Sequence, residues 1–253
     1  ALQGDSYLYG GELGKHIVET VNSRIGDQHE KLSLEDFKNY RVKQRDIIES
    51  DYRGNKIVSF GYPASGGVMV AQSLELLESY DIAQMEETDV EPWRLMTEAM
   101  RIAKADRIAY AGDPDYVETP INELLSKEYL DERRMLIPDY GVAKDNPKAG
   151  QVTQTQYAQY QGFESKDTGH ISIVDREGNA IAMTSTVGTG MGSGVMVDGV
   201  ILNAQMANFS PLPSVNGKPT QNSIEAGKRP RSAITPLMVI CLLYTSDAAD
   251  DTR

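Results

Sequence analysis

Cysteine is all but missing. Cys241 is the only one in 253 residues, so no disulfide can close within the chain and no thiolate cluster can hold a metal. Histidine is nearly as scarce: His16, His29 and His170 lie too far apart for the ligand spacing of a zinc site, and no metal or other cofactor is expected. Long apolar runs are absent too. No window approaches 18 consecutive apolar residues, and residues 1–5 have neither the basic start nor the apolar centre of a leader, so no membrane-spanning helix is predicted. Positive charge is in deficit, with 25 Lys and Arg against 37 Asp and Glu for a formal charge of −12. Such a chain is repelled by phosphate, and nucleic acid is not an expected partner.

What remains is the composition of a folded protein: 40% apolar and 7% aromatic side chains can fill one large domain or two small ones. Leu13, Ile17, Val18 and Val21 recur at the spacing of a buried stripe and predict a helix over 11–24, stopped at Gly26. Ser33, with Asp36 three residues on, reads as a capping box opening a short helix through Tyr40. Residues 42–48 and 56–60 read as strands separated by the turn Arg53-Gly54-Asn55. Tyr62-Pro63-Ala64-Ser65-Gly66-Gly67 then bends sharply into a helix with Val70, Leu74 and Leu77 on one face. A longer helix is predicted to turn Trp93, Met96, Met100 and Ala103 inward, ending at Gly112-Asp113-Pro114.

Between about 138 and 167 aliphatic residues thin out and no period is sustained, which marks a linker or exposed loop. From Gly169 the chain becomes β: Ile171, Ile173, Ala180 and Ala182 alternate with polar residues around Arg176-Glu177-Gly178-Asn179, a hairpin signal. A strand-like run over 237–240 breaks into residues 241–253, a string that resembles the frame translation of a sequencing-library adapter and is expected to be foreign. Setting it aside removes three aspartates and one arginine and leaves the balance acidic. The natural parent is expected to continue on both sides of residues 1–240.

Three places could carry chemistry. Thr168, between the irregular segment and the first β unit, could become a nucleophile if the bond after Asp167 were cut, because its own α-amine would then serve as base; the alternative is that it simply begins a strand. The glycine-rich loop 188–194 lacks both phosphate-binding fingerprints and reads as β turns or a loop over a pocket. The cations of Lys228-Arg229-Pro230-Arg231-Ser232 could fork a carboxylate, although solvated surface cations beside a proline bend are the default. His170 could be a base, but reads more simply as a packed or hydrogen-bonded side chain.

Taken in order, these pieces resemble the γ-glutamyltransferase family, also called γ-glutamyl transpeptidases or glutathione hydrolases. Residues 34–40, Tyr52-Arg53-Gly54, Pro63-Ala64-Ser65-Gly66-Gly67, Ala105-Asp106-Arg107 and Gly112-Asp113-Pro114 follow the family's large subunit. Thr168-Gly169-His170, Asp175 with Gly178-Asn179, Thr184 with Thr186, Asn203 with Gln205-Met206, Phe209-Ser210 and Lys228-Arg229-Pro230 follow its small subunit. The resemblance covers essentially all of residues 1–240. It implies an α+β fold, the four-layer αββα sandwich of N-terminal-nucleophile hydrolases, present here in part. It also implies one precursor that cuts itself before Thr168 into a large subunit, whose later part is 1–167 with the linker at about 138–167, and a small subunit beginning at 168–240. By the same resemblance Thr168 is the nucleophile, Thr186 orients it, and Gln205, Asn208 and Ser232 hold the α-amino and α-carboxylate groups of a small-molecule γ-glutamyl substrate. Water or an amino acid accepts the acyl group, and family members are mostly periplasmic, cell-surface or secreted.

The departures concern the substrate head. Asn208 stands where the family has an aspartate, Gly188 where it has an asparagine, and Ala233 where it has the second of two serines. Trading that carboxylate for an amide gives up a charge-assisted bond of about 1.5–3 kcal/mol. Acyl transfer with poor recognition of glutathione is therefore expected. The alternatives are an acylase for non-glutamyl amides and a non-catalytic homologue.

Overall fold

The computed structural model describes residues 4–152, 157–158 and 167–241. Residues 242–253 of the expected foreign tail 241–253, and residues 153–156 and 159–166, lie outside the described residues. The chain mixes helices with antiparallel strands and divides into two units.

The first unit is formed by residues 4–44, 167–168 and 186–205. Its helix α1 (Glu12–Asn22) buries Leu13 and Ile17 against Val197, with Val21, Phe37 and Leu202 at the rim. This is the stripe the periodicity predicts. Helix α2 (Leu34–Asn39) begins at the predicted capping box: the Ser33 hydroxyl accepts from the Asp36 amide, and the Asp36 carboxylate accepts from the Ser33 amide at 2.8 Å.

The second unit comprises residues 45–152, 157–158, 169–185 and 206–241. Strand β1 (Ile47–Tyr52) and strand β2 (Asn55–Phe60) form a hairpin, Ile47 opposite Phe60 and Tyr52 opposite Asn55. The two-residue turn Arg53-Gly54 has φ of 50° and 77°, the left-handed region in which glycine costs least. This tight turn also corrects the first predicted strand. Pairing must start at the turn, so the strand occupies 47–52 rather than 42–48.

Helix α3 (Gly66–Leu77) packs against helix α4 (Val90–Tyr110), and two further helices follow, α5 (Ile121–Leu124) and α6 (Lys127–Arg134). The predicted faces of α3 and α4 are each right in part and otherwise rotated. On α3 Leu77 is buried as predicted, together with Val68, Ala71, Gln72, Ser73 and Leu76, while Val70 and Leu74 are only half-buried. On α4 Ala103 is buried as expected and Met96 packs at the core's edge, but Trp93 is 61% and Met100 50% exposed; Leu95, Ala99, Ile102 and Ala109 face inward instead. The reason is that this face also buries Glu98 and Asp106, which a hydropathy count assigns to solvent. Glu98 binds Arg101 at 2.8 Å, and Asp106 pairs with Arg133 at 3.1 Å and accepts from the Gly150 amide at 3.0 Å. Fully burying Leu95 or Leu76 contributes about 1.5–3 kcal/mol each, which sets the rotation once the acids have partners.

Strand β3 (Asp167–Val174) pairs with strand β4 (Ala180–Gly188) as the predicted hairpin. The Asp175 carboxylate builds its turn, accepting from the Glu177 and Asn179 amides at 3.0 and 2.7 Å. Four short strands follow: β5 (Met196–Val197) with β6 (Val200–Ile201), and β7 (Ser214–Val215) with β8 (Lys218–Pro219). Strand β9 (Leu237–Cys241) adds antiparallel to β2 and takes Cys241 into the sheet opposite Asn55. Among the described residues no helix is long and apolar enough to cross a membrane.

Candidate active site

In the first unit β3 and β4 bring Thr186 onto the peptide bond that precedes Thr168. The Thr186 hydroxyl donates to the Asp167 carbonyl oxygen at 2.6 Å, and the Gly188 amide donates to the same hydroxyl at 3.0 Å. A hydroxyl that accepts a backbone N–H has its proton oriented outward, here onto the carbonyl it polarises. Gly188 adopts φ of +95°, and a Cβ there would meet the Ala204 Cβ at 3.1 Å, so glycine suits this backbone where a side chain is strained. The loop beyond it is a set of turns stapled by Ser193 N–H on the Leu202 carbonyl at 2.8 Å, and it leads into β5 rather than a helix. Gln205 opens the 3-10 turn Gln205–Asn208, its amide donating to Asn203 Oδ1 at 3.0 Å.

In the second unit His170 has one ring nitrogen 2.7 Å from Thr184 Oγ1 and the other 3.0 Å from Ser172 Oγ, a hydrogen-bonded side chain as read from sequence. Asn208 is buried, and its carbonyl accepts from Asn222 Nδ2 at 2.6 Å. Ser232 is held in a parallel bridge to the Pro63–Ser65 bend: its amide donates to the Pro63 carbonyl, and its own carbonyl accepts from the Ser65 amide, both at 2.8 Å. The Ser65 hydroxyl adds a bond to that carbonyl at 2.7 Å while accepting from Arg107 Nε at 2.6 Å. Gly66 makes the close approach possible. A Cβ there would collide with Thr235 Oγ1 and lie 2.8 Å from the Ala233 and Ile234 carbonyl oxygens. The Ser232 hydroxyl accepts weakly from the Ile234 amide at 3.4 Å, which leaves its proton available to donate.

The cationic run around Ser232 is not the solvated surface that its composition suggests. Lys228 and Arg231 are buried, and burial lowers the Lys228 pKa from its ordinary value. Arg231 spends one guanidinium nitrogen on the Ile108 carbonyl at 3.0 Å, and the Arg229 amide donates to Asp113 at 2.8 Å. Asp113 also pairs with Arg45 at 2.7 Å. Sequence reasoning gave no role to Ser65, Arg107, Asp113 or Asn222. The first three lie within stretches quoted for the family resemblance; Asn222 carries no motif.

These elements define a class: a mixed helix and strand protein in which one threonine hydroxyl bonds the peptide carbonyl preceding another threonine. The chain belongs to the gamma-glutamyltranspeptidase family, whose model matches residues 1–245. It is 33% identical over 247 residues to the glutathione hydrolase proenzyme of Bacillus subtilis subsp. natto, covering 94% of this chain and 40% of that protein. It is 35% identical over 242 residues to the acylase ACY 1 proenzyme of Pseudomonas sp. (strain V22), covering 95% and 40%. The crystal structure of cephalosporin acylase from Bacillus halodurans superimposes with a TM-score of 0.74 at 25% identity, covering 93% of this chain and 39% of that one. The chain thus spans about two fifths of the length of the curated relatives it matches.

Proposed function

We propose that the whole protein is a self-cleaving amide hydrolase and acyltransferase with Thr168 as nucleophile. The observation that carries this reading is the Thr186 hydroxyl on the Asp167 carbonyl at 2.6 Å. In self-cleavage Thr168 Oγ attacks the Asp167 carbonyl carbon while Thr186 stabilises the charge growing on its oxygen. The C–N bond breaks, the hydroxyl proton passes to the departing nitrogen, and an ester joins the two residues. Water hydrolyses the ester, leaving a carboxylate on Asp167 and a free α-amine on Thr168. In turnover that amine takes the proton of Thr168 Oγ as it attacks the substrate amide; the leaving amine departs protonated, and water or an amino acid receives the acyl group. The products of self-cleavage are a large subunit ending at 167 and a small subunit starting at 168, in a four-layer αββα sandwich of the N-terminal-nucleophile type.

γ-Glutamyl amides such as glutathione are the substrate class, with Gln205, Asn208 and Ser232 holding the acyl head. Asn208 favours a second preference within this chemistry: an acyl group lacking a free α-amine, since an amide cannot pair with ammonium as a carboxylate does. The acylases among the similar proteins support this reading. Denaturing electrophoresis of the whole protein should show two chains, the smaller beginning Thr-Gly-His-Ile. An uncut chain that still turns over substrate overturns the nucleophile assignment. A kcat/KM for a glutaryl amide comparable to that for glutathione is expected, and strong preference for glutathione removes the second reading.

A further inference from the structure

Asn222 lies 14 residues from Asn208 and nine from Arg231, and its side chain joins the two. Its Nδ2 donates to the Asn208 carbonyl at 2.6 Å, and its Oδ1 accepts from the Arg231 amide at 2.9 Å. Its own carbonyl accepts from the Ser210 amide at 2.8 Å, so its backbone is held to the Asn208–Ser210 strand of chain as well. The residue is 3% exposed. A buried carboxamide with both ends engaged is held in one orientation, because a flip would set Oδ1 against a carbonyl and Nδ2 against an N–H. Arg231 is covalently next to Ser232, whose other side is fixed by the Pro63–Ser65 bend. The side-chain link between the backbones carrying Asn208 and Ser232 therefore runs through one amide group, beside the backbone bond from Ser210 to Asn222.

We propose that Asn222 is a positioning residue for acyl-group recognition, setting the distance between Asn208 and Ser232. The inference rests on the reading of those two residues as contacts to the acyl head. It has a chemical corollary: the required side chain is a donor on one side and an acceptor on the other. Aspartate has the right size and keeps the acceptor for the Arg231 amide, but places a carboxylate oxygen against the Asn208 carbonyl and pushes that side away.

The test uses the whole protein, a chromogenic γ-glutamyl anilide and its glutaryl counterpart, with the variants Asn222→Asp, Asn222→Ala, Asn208→Ala and Ser232→Ala. Each Asn222 variant should self-cleave as wild type does and show KM raised about tenfold or more, with kcat within about threefold. A merely structural role would lower the active fraction, and so kcat, without moving KM. Because Asn222 acts through Asn208, combining Asn222→Asp with Asn208→Ala should raise KM no further than Asn208→Ala alone. If the wild type turns over neither anilide, or Asn208→Ala and Ser232→Ala leave KM unmoved, the acyl-site reading fails. If those two raise KM while Asn222→Asp and Asn222→Ala do not, the positioning role alone fails. Failure of both Asn222 variants to fold makes the residue structural and also overturns it.

Discussion

The Thr186 hydroxyl lies 2.6 Å from the carbonyl oxygen of Asp167, and the Gly188 amide holds that hydroxyl from behind at 3.0 Å. Loss of a single donor on a developing oxyanion typically slows such a step about 10²–10³-fold. Thr186→Ala should therefore leave the precursor largely uncut over times in which the wild type is fully processed, while Thr186→Ser cleaves at a comparable rate. A time course on denaturing gels reads this, and unslowed cleavage in Thr186→Ala would remove Thr186 from the step.

Ser65 joins α3 to the Ser232 backbone. Its buried hydroxyl receives Arg107 Nε at 2.6 Å and donates to the Ser232 carbonyl at 2.7 Å. Ser65→Ala strands a buried guanidinium N–H, a penalty of about 1–3 kcal/mol. Chemical denaturation should show a lower midpoint with an unchanged slope, and a midpoint equal to that of wild type contradicts the argument.

Asp113 carries more. Its carboxylate is fully buried and meets both the Arg45 guanidinium at 2.7 Å and the Arg229 amide at 2.8 Å. Removing it strands the Arg229 amide, a penalty of about 1–3 kcal/mol, while Arg45 keeps Asp115 at 2.7 Å. Asp113→Ala is expected to unfold a few degrees below the wild-type temperature. Replacing Arg45 as well takes the cation from Asp115 and should not restore the loss, and a midpoint for Asp113→Ala equal to that of wild type contradicts the argument.

His16 on α1 lies 2.7 Å from Asp198 Oδ2 in the turn between β5 and β6. The hydrogen bond to Asp198, then its charge, and more weakly Glu19 and Glu12, raise the imidazole pKa above its ordinary value. The protonated ring therefore binds better in the folded state. That stabilisation is complete below the unfolded value of about 6.5 and is lost as pH rises through the higher folded value. Thermal melts from mildly acidic to mildly alkaline pH should show a wild-type decline across this window that is smaller in His16→Gln. Parallel curves for the two proteins would show that the pair is not linked to folding.

The amino-acid sequence by itself determined what depends on neighbours in the chain. The Ser33–Asp36 box, the Arg53-Gly54 turn and the Asp175–Asn179 turn were legible because their partners lie within a few residues, and the α1 stripe because its own period marks it although Val197 that covers it is distant. The family's motifs around Thr168 and Thr186 were legible as residue types. Tertiary structure alone decided which faces of α3 and α4 turn inward, because that depends on partners distant in sequence: Asp106 for Gln72, the Ala143 amide for Glu98 and Arg133 for Asp106. It alone set Thr186 against the Asp167 carbonyl, Ser65 against Ser232 across 167 residues, and Asn222 between Asn208 and Arg231. The physical reason is the same in each case. A polar side chain is buried only where a complementary group meets it, and hydropathy records its cost without its partner.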